Sequence, residues 1–150
     1  MDRFMQLLDM PVVDSKSGEK IATVIDVAIK DDTRDIVAIL VATGGMLPAV
    51  RLVYLRDMER LDETGVYVPG GAVMKNADIE QLEKDMVRFE RDMVGKKVVG
   101  QNGEEYGILK DVVFGSEINE MLELLVAGER REKRIALRDG IRVLDGGVCL

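Results

Sequence analysis

Residues 18–29 run GEKIATVIDVAI, and residues 103–114 run GEEYGILKDVVF. Setting Gly18 on Gly103 aligns Glu19 with Glu104, Asp26 with Asp111 and Val27 with Val112. The same register carries Leu40-Val41-Ala42 onto Leu125-Val126-Ala127. Upstream, Val12-Val13 meets Val98-Val99, with one extra residue in the first copy. Downstream, a short deletion in the second copy brings Leu55-Arg56-Asp57 onto Leu137-Arg138-Asp139, and the match continues to Gly65-Val66 and Gly147-Val148. Any one pair could be chance. A collinear series is an internal repeat.

Each copy alternates apolar, β-branched stretches with turn chemistry. In the first, Val12–Asp14 predicts a strand, Ser15–Gly18 a turn and Lys20–Ile29 a longer strand. The polar residues Asp31–Asp35 predict a hairpin loop, and Ile36–Ala42, apolar on both faces, a central strand. Arg51–Leu55 and Val66–Val68 complete the set. The second copy follows with Lys97–Val99, Tyr106–Phe114, Met121–Ala127, Lys133–Leu137 and Val148–Leu150. So many short strands in so few residues predict a small, strongly curved sheet. Closure into a barrel removes its exposed edges.

Between the copies the period changes. Residues 76–93 read NADIEQLEKDMVRFERDM, with Ile79, Leu82, Met86, Phe89 and Met93 recurring at spacings of three and four. That pattern predicts one amphipathic α-helix. Asn76 suits its N-cap and Gly95 its end. The stripe has two uses: packing on the chain's own barrels, or pairing with the same helix of a second molecule.

Composition narrows the functional classes. The chain has 150 residues, 47% hydrophobic and 33% charged, as in ordinary soluble domains. The longest unbroken apolar run, Ile36–Ala42, is too short to span a bilayer, and MDRFMQLLDM lacks the apolar core of a signal peptide. A cytoplasmic location is the default expectation. The net charge of −7 argues against direct nucleic-acid binding. There is no histidine, which removes Ser-His-Asp and Cys-His catalysis and the usual zinc sites. The single cysteine, Cys149, leaves no internal disulfide. Gly44-Gly45, Gly70-Gly71 and Gly146-Gly147 are isolated pairs, not phosphate loops, and no cofactor is expected.

The order of features is a short strand, an SGE or NGE turn, a long strand with a central Asp-Val, a polar hairpin, an apolar strand, LRD and a Gly-Val ending. This resembles the PRC-barrel family, whose domain is also found in the photosynthetic reaction centre H subunit and in a ribosome maturation factor. Tyr54 and Ala136 stand where the family often has proline. The resemblance implies a mainly β protein: two small PRC-type β-barrels in tandem, residues 5–73 and 94–150, here joined by a linker, residues 74–93, that contains the one amphipathic α-helix read from the apolar period. It implies a fold more firmly than an activity.

Several residues invite a role. Asp26 and Asp111 recur inside apolar strands, which points to something each barrel needs rather than to a ligand. Arg56-Asp57 and Arg138-Asp139 follow apolar strands and read as pinned turns. Asp31, Asp32 and Asp35 lack the spacing of a calcium loop and read as a solvated hairpin. The copies differ most in one loop: Gly44–Val50 is apolar, whereas Gly128–Arg134 is charged and locally basic. An apolar loop tip needs a cover, from within the chain or from a partner. The candidate contacts are therefore Met46, Leu47 and Val50 in that loop, with Ile79, Leu82, Met86, Phe89 and Met93 in the stripe. The expected function is a non-catalytic protein-interaction or adaptor module, acting on a protein partner or by self-association as a homodimer. The alternatives are an accessory factor in ribosome assembly or RNA processing acting through a ribosomal protein, and a small-ligand-binding barrel.

Overall fold

In a computed structural model, which describes residues 1–77, 84, 86–115 and 117–150, the two copies form two sheets of the same strand order. The first copy supplies β1 (Pro11–Asp14), β2 (Lys20–Lys30), β3 (Ile36–Thr43), β4 (Val50–Tyr54), β5 (Arg60–Asp62) and β6 (Gly65–Val68). Two short strands follow, β7 (Lys75–Asn76) and β8 (Met86–Arg88). The second supplies β9 (Lys97–Val99), β10 (Glu105–Phe114), β11 (Met121–Ala127), β12 (Glu132–Ala136), β13 (Arg142–Leu144) and β14 (Gly147–Cys149). The first sheet runs β5-β6-β1-β2-β3-β4 with β7 beside β4; the second runs β13-β14-β9-β10-β11-β12. Tandem barrel-like β domains are thus what the repeat encodes.

In each sheet the last long-range pairing is parallel: β6 lies beside β1, and β14 beside β9. Gly65 and Gly147 open these closing strands, at φ +156° and +144°. A Cβ on Gly65 would meet the Pro11 carbonyl oxygen at 2.8 Å, and one on Gly147 would meet the Lys97 carbonyl oxygen at 2.5 Å. The repeated Gly-Val ending is therefore a close-approach requirement.

β2 and β10 carry bulges at matching places, around Ile25 and around Lys110. A bulge breaks the two-residue alternation. This lets Asp26 and Val27 both be buried, and likewise Asp111 and Val112.

The segment between the copies is not one helix. Met86–Arg88 is a strand, paired with Ala28–Lys30 of β2, and Phe89–Met93 is a single π-helical turn. Asn76 lies in β7. Ile79 and Leu82 lie outside the described residues. The physical reason is edge pairing. β1 covers only Lys20–Thr23 of the long β2, which leaves the far end of that edge open. Ladder hydrogen bonds to an open edge outweigh a weak helical period in a short segment.

The two halves are joined by exchanged segments. α1 (Phe4–Leu7) begins the chain but packs on the second half: Arg3 bridges Val113 of β10, and the Phe114 N–H donates to the Asp2 carbonyl at 2.8 Å. β8 and its turn begin the second copy but pack on β2 of the first. Phe4, Phe89 and Phe114, the chain's three phenylalanines, meet between the sheets. The Phe4 and Phe89 rings stand edge to face at 5.1 Å, and Phe114 lies 5.8 Å from Phe4. One apolar core runs through both halves. Among the described residues no helix is long and apolar enough to cross a membrane.

Candidate interaction surfaces

Asp26 is fully buried and fully occupied. Its Oδ1 accepts from the Val27 N–H at 2.8 Å and the Glu90 N–H at 2.7 Å. Its Oδ2 accepts from the Arg88 Nε at 3.2 Å and the Arg91 N–H at 3.3 Å. It thereby caps the first amides of the Phe89–Met93 turn, which no intrahelical carbonyl can satisfy. Asp111 does the same for α1, accepting from the Met5 N–H at 3.0 Å and the Val112 N–H at 2.8 Å. Burial raises the Asp111 carboxyl above its ordinary value; the Met5 and Val112 amides and the Arg3 charge oppose that rise. Each repeated aspartate is thus a clamp on the segment donated by the other half. The structural expectation for these two residues is the one the geometry supports.

A family model for the PRC-barrel domain matches residues 1–87 and again residues 85–147. The chain belongs to the PRC-barrel family. Both matches begin at the segment that crosses to the opposite half, α1 in the first and β8 with its turn in the second. In this PRC-barrel protein the crossing segment is therefore part of the repeating unit. A search of curated protein sequences returns no match.

The stripe residues divide. Phe89 and Met93 are buried in the common core. Met86 is half-buried against Ala28, Ala38, Leu40 and Leu52 on the opposite face of the first sheet. All three contact their own chain. The sequence missed Phe4, which is Phe89's counterpart. The signal was present as FMQL against FERDM, one residue longer in the second copy, which the π turn absorbs.

The loop between β3 and β4 behaves differently. Met46 is 99% exposed, Leu47 90% and Val50 38%. Its neck is hydrogen-bonded: the Thr43 N–H donates to the Ala49 carbonyl and the Ala49 N–H to Thr43 Oγ1, both at 2.9 Å. Two large apolar side chains, Met46 and Leu47, stand out at the tip of this loop. The matching loop of the second half closes through the Gly128 N–H to the Arg131 carbonyl at 3.0 Å and presents charge. Beside it, Arg134 pairs with Glu123 at 3.7 Å across β12 and β11.

Several of the remaining candidates make local contacts. Leu55–Asp57 forms a 3-10 turn closed by the Met58 N–H on the Leu55 carbonyl, and Arg56 stacks over the Tyr54 ring at 4.8 Å. The acidic hairpin is not simply solvated, as the sequence suggested. Asp31 Oδ1 accepts from the Val143 N–H at 3.3 Å, Thr33 bridges Ile141 and Asp35 bridges Glu120. Among the described residues no cluster of three or more carboxylate or thiol groups is placed to hold a metal. Cys149 is half-buried in β14.

Proposed function

We propose that this protein is a non-catalytic, cytoplasmic interaction module in which the paired barrels are a rigid base and the β3–β4 loop engages a protein partner. The observation that carries this reading is the exposure of Met46 and Leu47 on a hairpin whose neck is hydrogen-bonded. Exposed large apolar side chains next to each other are a usual mark of a contact surface. The acidic surface suits a basic or neutral protein partner better than a nucleic acid.

The test is affinity capture of the tagged protein from its native cells, with Leu47→Asp as the control. A stoichiometric partner lost in the variant supports the reading. Retention of every association by the folded variant removes the loop from it. A second copy as the sole partner assigns the loop to self-association.

A further inference from the structure

A thioether carries a polarizable electron pair that a peroxide attacks where it can reach the sulfur. The chain has nine methionines, and the fold protects them very unequally. Met93 and Met121 are fully buried and four others are half-buried. Met1 is 38% exposed and Met5 46%. Met46, at 99%, is as open to solvent as it would be in an unfolded chain. The two residues before it show how far the tip stands from the rest of the fold. Among the described residues, a Cβ built on Gly44 or on Gly45 would meet nothing within 4 Å beyond its chain neighbours.

We propose that Met46 is a peroxide-sensitive modification site, and that its oxidation to the sulfoxide releases the partner held by the β3–β4 loop. The release step rests on the interaction-module reading; the reactivity of Met46 does not. The Met46 sulfur attacks one oxygen of hydrogen peroxide. An S–O bond forms as the O–O bond breaks, so the sulfur is oxidised and the peroxide reduced. The proton on the transferred oxygen passes to the departing hydroxide, which leaves as water. A thiol-dependent sulfoxide reductase reverses the change, its thiols becoming a disulfide as the oxygen leaves as water.

The position of the group gives the reaction its consequence. Oxidation turns a flexible apolar side chain into a polar one. An S=O group pressed against an apolar partner surface, with no donor to meet it, weakens the contact about tenfold. The two halves also respond differently. The matching loop of the second half, Gly128–Arg134, contains no sulfur, so peroxide changes the surface of one barrel's loop and leaves the other's as it was. Oxidation makes the apolar loop polar, as its charged counterpart already is.

The experiment treats the full chain with limiting hydrogen peroxide, quenches with catalase, and maps oxidation at each methionine and at Cys149 by peptide mass spectrometry. The guanidinium-unfolded chain sets the unprotected rate. Met46 is expected to oxidise first and at close to that rate, Met1 and Met5 more slowly, and Met93 and Met121 about tenfold more slowly or less still. Oxidation of Met1, Met5 or Cys149 ahead of Met46 overturns the site. The capture experiment is then repeated with peroxide-treated protein. Treatment lowers recovery of the loop-dependent partner about tenfold, and sulfoxide reductase restores it. In Met46→Leu, recovery relative to that variant's own untreated sample does not respond to peroxide. Full recovery after Met46 is oxidised, or an equal loss in Met46→Leu, overturns the release step. A capture with no loop-dependent partner defeats the module reading and the release step together, while the peptide map still decides the reactive site.

Discussion

Asp35 and Glu120 form an antiparallel bridge with each other, and they occupy the same position of the two repeats. A residue that meets its own equivalent lies on a two-fold axis. The flanking bonds obey that axis: the Ile36 N–H donates to the Asn119 carbonyl at 3.0 Å, and the Met121 N–H to the Arg34 carbonyl at 2.8 Å. Phe4 and Phe89 meet near the same axis. The tandem chain therefore has the geometry of a two-fold pair of barrels that exchange their leading segments.

The clamp at Asp26 is the more costly one to lose. Asp26→Ala leaves the Glu90 and Arg91 amides and the Arg88 guanidinium without their buried acceptor. Arg88 retains some access to water, which limits the penalty. We expect about 3 kcal/mol of destabilisation in denaturant unfolding. A loss below about 1 kcal/mol means that the turn does not depend on this carboxylate.

Asp111 predicts a pH dependence of definite sign. Burial raises its folded-state pKa, so the folded protein holds this proton to higher pH than the unfolded chain. Stability from this group is full below the unfolded pKa and is lost as pH rises through the folded one. Asp111→Asn keeps an acceptor for the Met5 and Val112 amides but cannot ionise. The variant therefore gains on the parent as pH rises through the raised pKa, and the gain then levels off. Unfolding curves taken from pH 4 to pH 7 check this; a difference that shrinks as pH rises reverses the assignment.

Phe4 and Phe89 are far apart in sequence and fully buried together. Either one changed to Ala costs about 3–5 kcal/mol. A double-mutant cycle isolates a coupling of about 0.5–1.5 kcal/mol for the edge-to-face pair. Additive losses contradict contact between the crossing segments.

Gly140→Ala tests the close approach of the second half to the Asp31–Asp35 hairpin of the first. The added methyl collides with the Asp32–Thr33 backbone. The expected cost is about 1–3 kcal/mol, as for overpacking. Gly146, where an added Cβ has open space, is the control. Gly146→Ala stays within about 0.5 kcal/mol of the parent. Equal effects at the two positions refute the close approach.

The strands were legible because β-branched, apolar runs between turn residues carry a local signal, and the repeat stated it twice. Lys20–Ile29 and Ile36–Ala42 fall on β2 and β3 to within a residue. Asp26 and Asp111 were legible as a structural pair, since a position kept in both copies serves both barrels. Their partners were not, because Met5 and Glu90 bind through backbone amides that have no residue signature. Residues 86–93 were misread as helix. An apolar spacing of three and four also suits a strand that runs into a single turn, and only the open edge of β2 decides between them.

Local residue patterns specified a duplicated β fold, the succession of its longer strands, the Gly-Val endings and the contrast between the Met46–Val50 loop and its charged counterpart; the order of strands in each sheet, and the short strands Arg60–Asp62 and Arg142–Leu144, were not among them. The specified features follow from residue types acting over a few positions. Long-range contacts settled which half receives each leading segment, that the acidic hairpin lies on a two-fold axis, and that Gly140 packs directly on the Asp32–Thr33 backbone. Those outcomes depend on hydrogen-bonding edges and steric clearance between residues far apart in the chain. Local sequence can permit such contacts but cannot choose among them.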